Sequence, residues 1–164
     1  ALSLKTHFSE VNENVMAYSV DGHRHLPEIE QELGHLSPSS DLKITFLTHI
    51  VPTTRGILAS CYAPLNGNAG SSTDSQRSIR EIYSDFYQGE PFTKIVNAPP
   101  MSKHTLGNND CVLYPTVDER TNRLVVISCI DNLVKGAAGQ AVQIMNIMQN
   151  FPEDEGLRQL AIYP

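Results

Sequence analysis

"CVLYPTVDERTNRLVVISCIDNL", Cys111 to Leu133, is the stretch whose reading decides the fold. "CVLYPTVDE" and "RLVVISCIDNL" are rich in branched and aromatic residues, which pack well on a pleated, half-buried surface, so both read as strands. "DERTNR" between them has the polar make-up of a hairpin turn, and neighbouring antiparallel strands follow. Upstream, "NVMAYSV" (Asn14 to Val20), "LKITFLTHIV" (Leu42 to Val51), "GILASCYAPL" (Gly56 to Leu65) and "FTKIVNAPP" (Phe92 to Pro100) read as further strands.

Helices fall between and after them. From Leu26, Pro27 suits a first helical turn, Glu28, Glu30 and Glu32 favour its positive end, and Gly34 is the expected stop. "SQRSIREIYSDFYQGEP" (Ser75 to Pro91) places Ile79, Ile82, Tyr83 and Phe86 at helical spacing, with Gly89 as its stop. "GAAGQAVQIMNIMQNF" (Gly136 to Phe151) carries an apolar stripe of Ala141, Ile144, Met145 and Met148. The small, polar segment Asn66 to Gln76 reads as a loop. The expected architecture is α+β: a mixed or mostly antiparallel sheet with helices on one face, in a single domain spanning 1–164.

Bulk properties narrow the function. A formal charge of -6, with no lysine or arginine run, argues against nonspecific nucleic-acid binding. No apolar stretch approaches the roughly 20 residues that span a bilayer. Cys61, Cys111 and Cys129 are widely spaced and odd in number, as for reduced thiols of a cytoplasmic protein. Cys61 and Cys129 lie in apolar runs and read as core residues rather than nucleophiles.

"DGHRHLPEIEQEL" (Asp21 to Leu33) carries the densest chemistry. His23 and His25 have usable metal-ligand spacing, but no third ligand is tied to them and Arg24 between them opposes a dication, so no metal is expected. Two readings stay open: a solvated basic turn, or an imidazole for proton transfer beside a guanidinium and a helix N-terminus suited to an anion. Arg55, alone at a strand–turn–strand corner before Gly56, reads as structural. In "DNLVKGAAGQAVQ" (Asp131 to Gln143), Gly136, Gly139 and the alanines let a ligand or another domain approach the backbone, and Lys135 adds charge.

Three long stretches, "HFSEVNENVMAYSVDGHRHLPEIEQEL", "FLTHIVPTTRGILASCYAPL" and "ISCIDNLVKGAAGQAVQIMNIM" with the following "PEDEGL", together resemble the N-acetyl-gamma-glutamyl-phosphate reductase family. The same plan is shared with the C-terminal domain of glyceraldehyde-3-phosphate and aspartate-semialdehyde dehydrogenases. The resemblance implies an NADP-dependent reductase of arginine biosynthesis, acting on a small acyl phosphate, cytoplasmic and homo-oligomeric. It implies His23 or His25 as the catalytic histidine, with His25 preferred, Arg24 and Arg55 as substrate contacts, and Asn132, Lys135 and Gly136 toward the cofactor. The family's glycine-rich Rossmann fingerprint and its Cys-Tyr-Pro-Thr motif have no counterpart here, so the chain is expected to be the catalytic/dimerisation domain, inactive by itself. A non-catalytic dimerisation module, or a related semialdehyde dehydrogenase domain, is the alternative.

Overall fold

A computed structural model describes residues 3–36, 42–65 and 73–163, apart from the side chains of Lys5 and residues 73–78. The chain divides into two compact units, Ala1–Thr54 and Arg55–Pro164.

The first unit starts with a 3-10 turn at Leu4–Thr6 and a short helix α1, Phe8–Val11. The His7 ring caps α1, its Nδ1 accepting from the Ser9 N–H at 3.4 Å. Strand β1 (Met16–Tyr18) pairs antiparallel with β2 (Thr48–Ile50), Ala17 opposite His49. Both strands are shorter than their sequence stretches. β1 ends where Ser19 takes φ +52° and its carbonyl accepts from the Gly22 N–H, a turn that ends the pairing with β2 at Tyr18 and Thr48. Helix α2 runs Leu26–Leu36, so Gly34 does not stop it, and residues 37–41 lie outside the description.

The second unit contains a four-stranded sheet in the order β3-β6-β5-β4, with β3 at Ile57–Pro64, β4 at Thr93–Ile95, β5 at Cys111–Asp118 and β6 at Arg123–Ile130. β6 is antiparallel to both β3 and β5, whereas β4 runs parallel to β5. The α+β expectation and the mixed, mostly antiparallel sheet hold. β5 and β6 meet through the expected hairpin, whose turn Asp118 ties down by accepting from the Arg120 N–H and the Thr121 hydroxyl. Those bonds, the Thr121 hydroxyl foremost, hold the Asp118 carboxyl below its ordinary pKa.

β4 is short for a chemical reason. The Cys111 N–H donates to Phe92 O and the Leu113 carbonyl accepts from the Val96 N–H, so alternate residues of β5 address β4. The next in that series is Pro115, which has no N–H, and the pairing stops before it.

Alternation sorts the sheet into two faces. Leu113, Pro115, Val117 and Val126 share one face and are buried. Helix α3 (Thr73–Phe86) packs along β5. The other face carries Leu58, Ser60 and Tyr62 of β3 beside Ile127 and Val125 of β6; Leu58 and Tyr62 are exposed, Tyr62 by 65 %. Cys61 is also exposed and so is not the core residue its apolar surroundings suggested, because β3 is an edge strand; Cys129, on central β6, is fully buried. Residues 66–72 of the expected loop lie outside the description, and α3 begins at Thr73.

The last helix differs most from expectation. Val134–Ala138 is a π-helical turn, with Gly136 N–H bonded to Asp131 O and Ala138 N–H to Leu133 O, and helix α4 follows at Gly139–Met148. α4 turns its polar side inward: Gly139, Gln143 and Asn146 are buried, while Ile144, Met145 and Met148 of the apolar stripe are exposed.

Candidate functional site

The first unit places His23, Arg24 and His25 in the turn that enters α2. The His25 carbonyl accepts from the Ile29 N–H and the His23 carbonyl from the Leu26 N–H, so the triplet lies against the helix N-terminus. The two imidazoles stand edge to face at 4.8 Å between centroids. His23 is further enclosed by Tyr18 at 5.6 Å and Phe46 at 5.3 Å. Its Nδ1 lies 3.2 Å from the His25 backbone N–H and accepts from it, which places any proton of a neutral His23 on Nε2. His23 is held and half-buried, whereas Arg24 and His25 are exposed. The His23 ring thus meets three other rings, while the exposed His25 ring packs edge to face on His23.

The second unit places Arg55 and Asn132 at one corner, where β3 begins and β6 ends. Arg55 Nη2 lies 3.0 Å from Asp131 Oδ1 and 2.9 Å from Oδ2, and the Gly56 N–H donates to Asn132 Oδ1 at 2.7 Å. Gly56 has φ +111°, and a Cβ there would come within 3.0 Å of Ser102 Cβ, so only glycine fits both the conformation and the space. Burial raises the Asp131 carboxyl, but bonds from Gly107 N–H, Arg55, Leu133 N–H and Val134 N–H outweigh it and hold the group below the usual carboxylate range.

Lys135 and Gly136 diverge. The Lys135 Nζ is turned in, donating to Gln143 Oε1 at 2.7 Å and lying 5.4 Å from the Phe92 centroid. Desolvation pulls its pKa down. Gln143 is the centre of a buried network: Asn109 Nδ2 also donates to its Oε1 at 3.0 Å, and its own Nε2 donates to Glu153 Oε1 at 2.5 Å. Gly136, with Ala137 and Ala138, is exposed. The sterically demanding glycine is instead Gly139, where a Cβ would stand 2.3 Å from Asn109 Oδ1 and 2.9 Å from Val134 O. Sequence reading missed Asp131, Asn109 and Gln143. Their signal was faint: amides and a carboxylate inside otherwise apolar or small-residue runs.

Among the described residues, no three of His, Cys, Asp and Glu are grouped to hold a metal ion. No helix among them is long and apolar enough to cross a membrane.

The family model described as "Semialdehyde dehydrogenase, dimerisation domain" matches residues 1–132. The chain belongs to this dimerisation-domain family. The chain is similar to N-acetyl-gamma-glutamyl-phosphate reductase of Pelotomaculum thermopropionicum, 53 % identical over 99 % of this chain and 46 % of that protein. It is also similar to the enzyme of the same name from Geobacillus stearothermophilus, 47 % identical over 98 % of the chain and 46 % of the relative. The domain thus spans just under half the length of these relatives. Among solved structures, aspartate semialdehyde dehydrogenase II of Vibrio cholerae has the same fold, with a TM-score of 0.61 at 15 % identity over 86 % of this chain and 42 % of that one.

Proposed function

We propose that the chain is the catalytic and dimerisation part of an NADP-dependent reductase of arginine biosynthesis. Its reaction converts N-acetyl-glutamyl 5-phosphate to the 5-semialdehyde. What carries the reading is the HRH turn: a held His23 presenting an exposed His25 and Arg24 at a helix N-terminus, in a chain about half identical to reductases of that name. His25 is the acid/base group, taking and returning the proton that acyl transfer releases. Arg24 supplies a planar donor fork for the phosphate or the carboxylate, and Arg55 a second. The nucleophilic thiolate is assigned outside this chain: none of Cys61, Cys111 and Cys129 stands in the family's Cys-Tyr-Pro-Thr context, Cys129 is buried, and desolvation raises the Cys61 thiol, the opposite of nucleophile activation.

The reduced cofactor, NADPH, would supply the hydride when bound and leave as NADP+. Of the candidates facing it, the exposed surface of Gly136, Ala137 and Ala138 suits close approach of a planar ring. Asn132 and Lys135 contribute by shaping this surface, since their polar groups are engaged by Gly56 and Gln143. Self-association uses the open sheet face around Leu58 and Tyr62. The enzyme works in the cytoplasm, on a small-molecule substrate.

The test is His25→Ala in the complete reductase. Turnover falls by about 10² to 10⁴, the usual range for losing a general acid/base. Unchanged turnover removes His25 from the mechanism. His23→Ala loosens the turn and lowers turnover less; a larger loss there reassigns the proton carrier to His23.

A further inference from the structure

The corner where β3 begins and β6 ends contains a carboxylate that the proposed chemistry leaves without a role. Asp131 is fully buried, and a buried carboxylate is unfavourable unless its oxygens are filled with donors. Here they are filled from three separate segments. The Gly107 N–H donates to Oδ2 at 2.7 Å, and the Leu133 and Val134 N–H groups donate to Oδ1 at 2.8 and 3.1 Å. Arg55 Nη2 addresses both oxygens.

Among the described residues, Asp131 is the hydrogen-bond partner of the guanidinium. The Arg55 side chain is 28 % exposed, and its Nε, buried, has no hydrogen-bond partner among the described residues. Its orientation therefore depends on Asp131, and a long side chain released from that anchor regains rotamer freedom.

We infer that Asp131 is a positioning residue: it fixes the Arg55 guanidinium in one orientation, so that the N–H groups not facing Asp131 meet a phosphate or carboxylate from a set direction. The inference rests on the reading of Arg55 as an anion contact. The same carboxylate also binds the first N–H groups after β6, so the Arg55 corner and the start of the π-helical turn are set by one group.

Nitrogen–proton spectra of the arginine Nε–H groups, with inorganic phosphate as the probe, test this on the 164-residue chain. In the wild type, the Arg55 Nε–H gives a sharp, slowly exchanging signal that shifts with phosphate. In Asp131→Asn that signal broadens or exchanges rapidly and the phosphate Kd rises about tenfold, while the amide pattern of β5 and β6 is kept. If Asp131→Asn does not fold, Asp131→Glu, which keeps the charge but displaces it, is read in the same way. An Arg55 signal as ordered as in the wild type, in a folded variant of either kind, overturns the inference. The reading beneath it is tested separately. No phosphate response in the wild type, or the same response in Arg55→Gln, overturns Arg55 as an anion contact, while the order of the Nε–H signal still decides Asp131.

Discussion

The two units use polar side chains in opposite ways. Among the described residues of Ala1–Thr54 none is buried, and its chemistry-bearing residues Arg24 and His25 are exposed. In Arg55–Pro164 the buried set includes Asn109, Asp131, Gln143 and Asn146, each hydrogen-bonded to groups from another segment or turn. An exposed imidazole is available to a ligand and contributes little to folding. A buried carboxylate or amide contributes order and is hard to remove. Among the described residues, the buried polar groups thus belong to the second unit, and substitutions should separate the two.

The largest effect on stability is expected at Asp131. Asp131→Ala leaves the Gly107, Leu133 and Val134 N–H groups and the Arg55 guanidinium without their acceptor, a loss of about 3–5 kcal/mol, the range for breaking a buried charge pair. Urea unfolding measures it, and a loss below about 1 kcal/mol contradicts the rigid role given to this corner. Gly139→Ala comes next. Its Cβ collides with Asn109 Oδ1 and with the Val134 carbonyl, a backbone atom that cannot swing aside, so overpacking of about 1–3 kcal/mol follows. Gly136→Ala, with only ordinary contacts around its Cβ, should cost about 1 kcal/mol less; equal losses would mean that the π-helical turn, not the packing, sets the requirement.

The exposed unit should answer differently. His25→Ala changes stability by no more than about 0.5 kcal/mol, as surface substitutions do. A large stability loss there would erase the contrast. Acid sharpens it from another side. The Asp131 carboxyl is held below its unfolded value, so its contribution is fully present above the ordinary carboxylate pKa, about 4, and is lost as pH falls through the lower folded value. Asp131→Asn should therefore flatten the stability decline below about pH 4, and an unchanged profile assigns the decline elsewhere. The smallest effect belongs to Met148→Gln: the side chain is 72 % exposed, so unfolding of this chain shifts by less than about 0.5 kcal/mol.

The strands of the central hairpin were legible because β5 and β6 each have eight residues of suitable composition and a polar turn between them. β4 was legible as a strand but not in its direction. Nothing in "FTKIVNAPP" distinguishes a parallel from an antiparallel partner, and the 3-10 turn at Ser102–Thr105 that lets the chain re-enter the sheet carries no strong local signal. In the HRH turn, the sequence shows two imidazoles and a guanidinium side by side. It could not tell that the His25 N–H engages His23 Nδ1, which is what separates the two imidazoles.

By itself the sequence determined the fold class, the hairpin, the helix entered after His25 and the residue types available for proton transfer and anion binding. These depend on local propensity and on neighbours a few positions apart. Tertiary structure alone decided which side of α4 is buried, that Lys135 turns toward Gln143, and that Arg55 and Asn132 meet at a corner built on Asp131. Each of those joins groups far apart in the chain, or depends on which polar atoms find partners when water is excluded. Composition and periodicity carry no record of either.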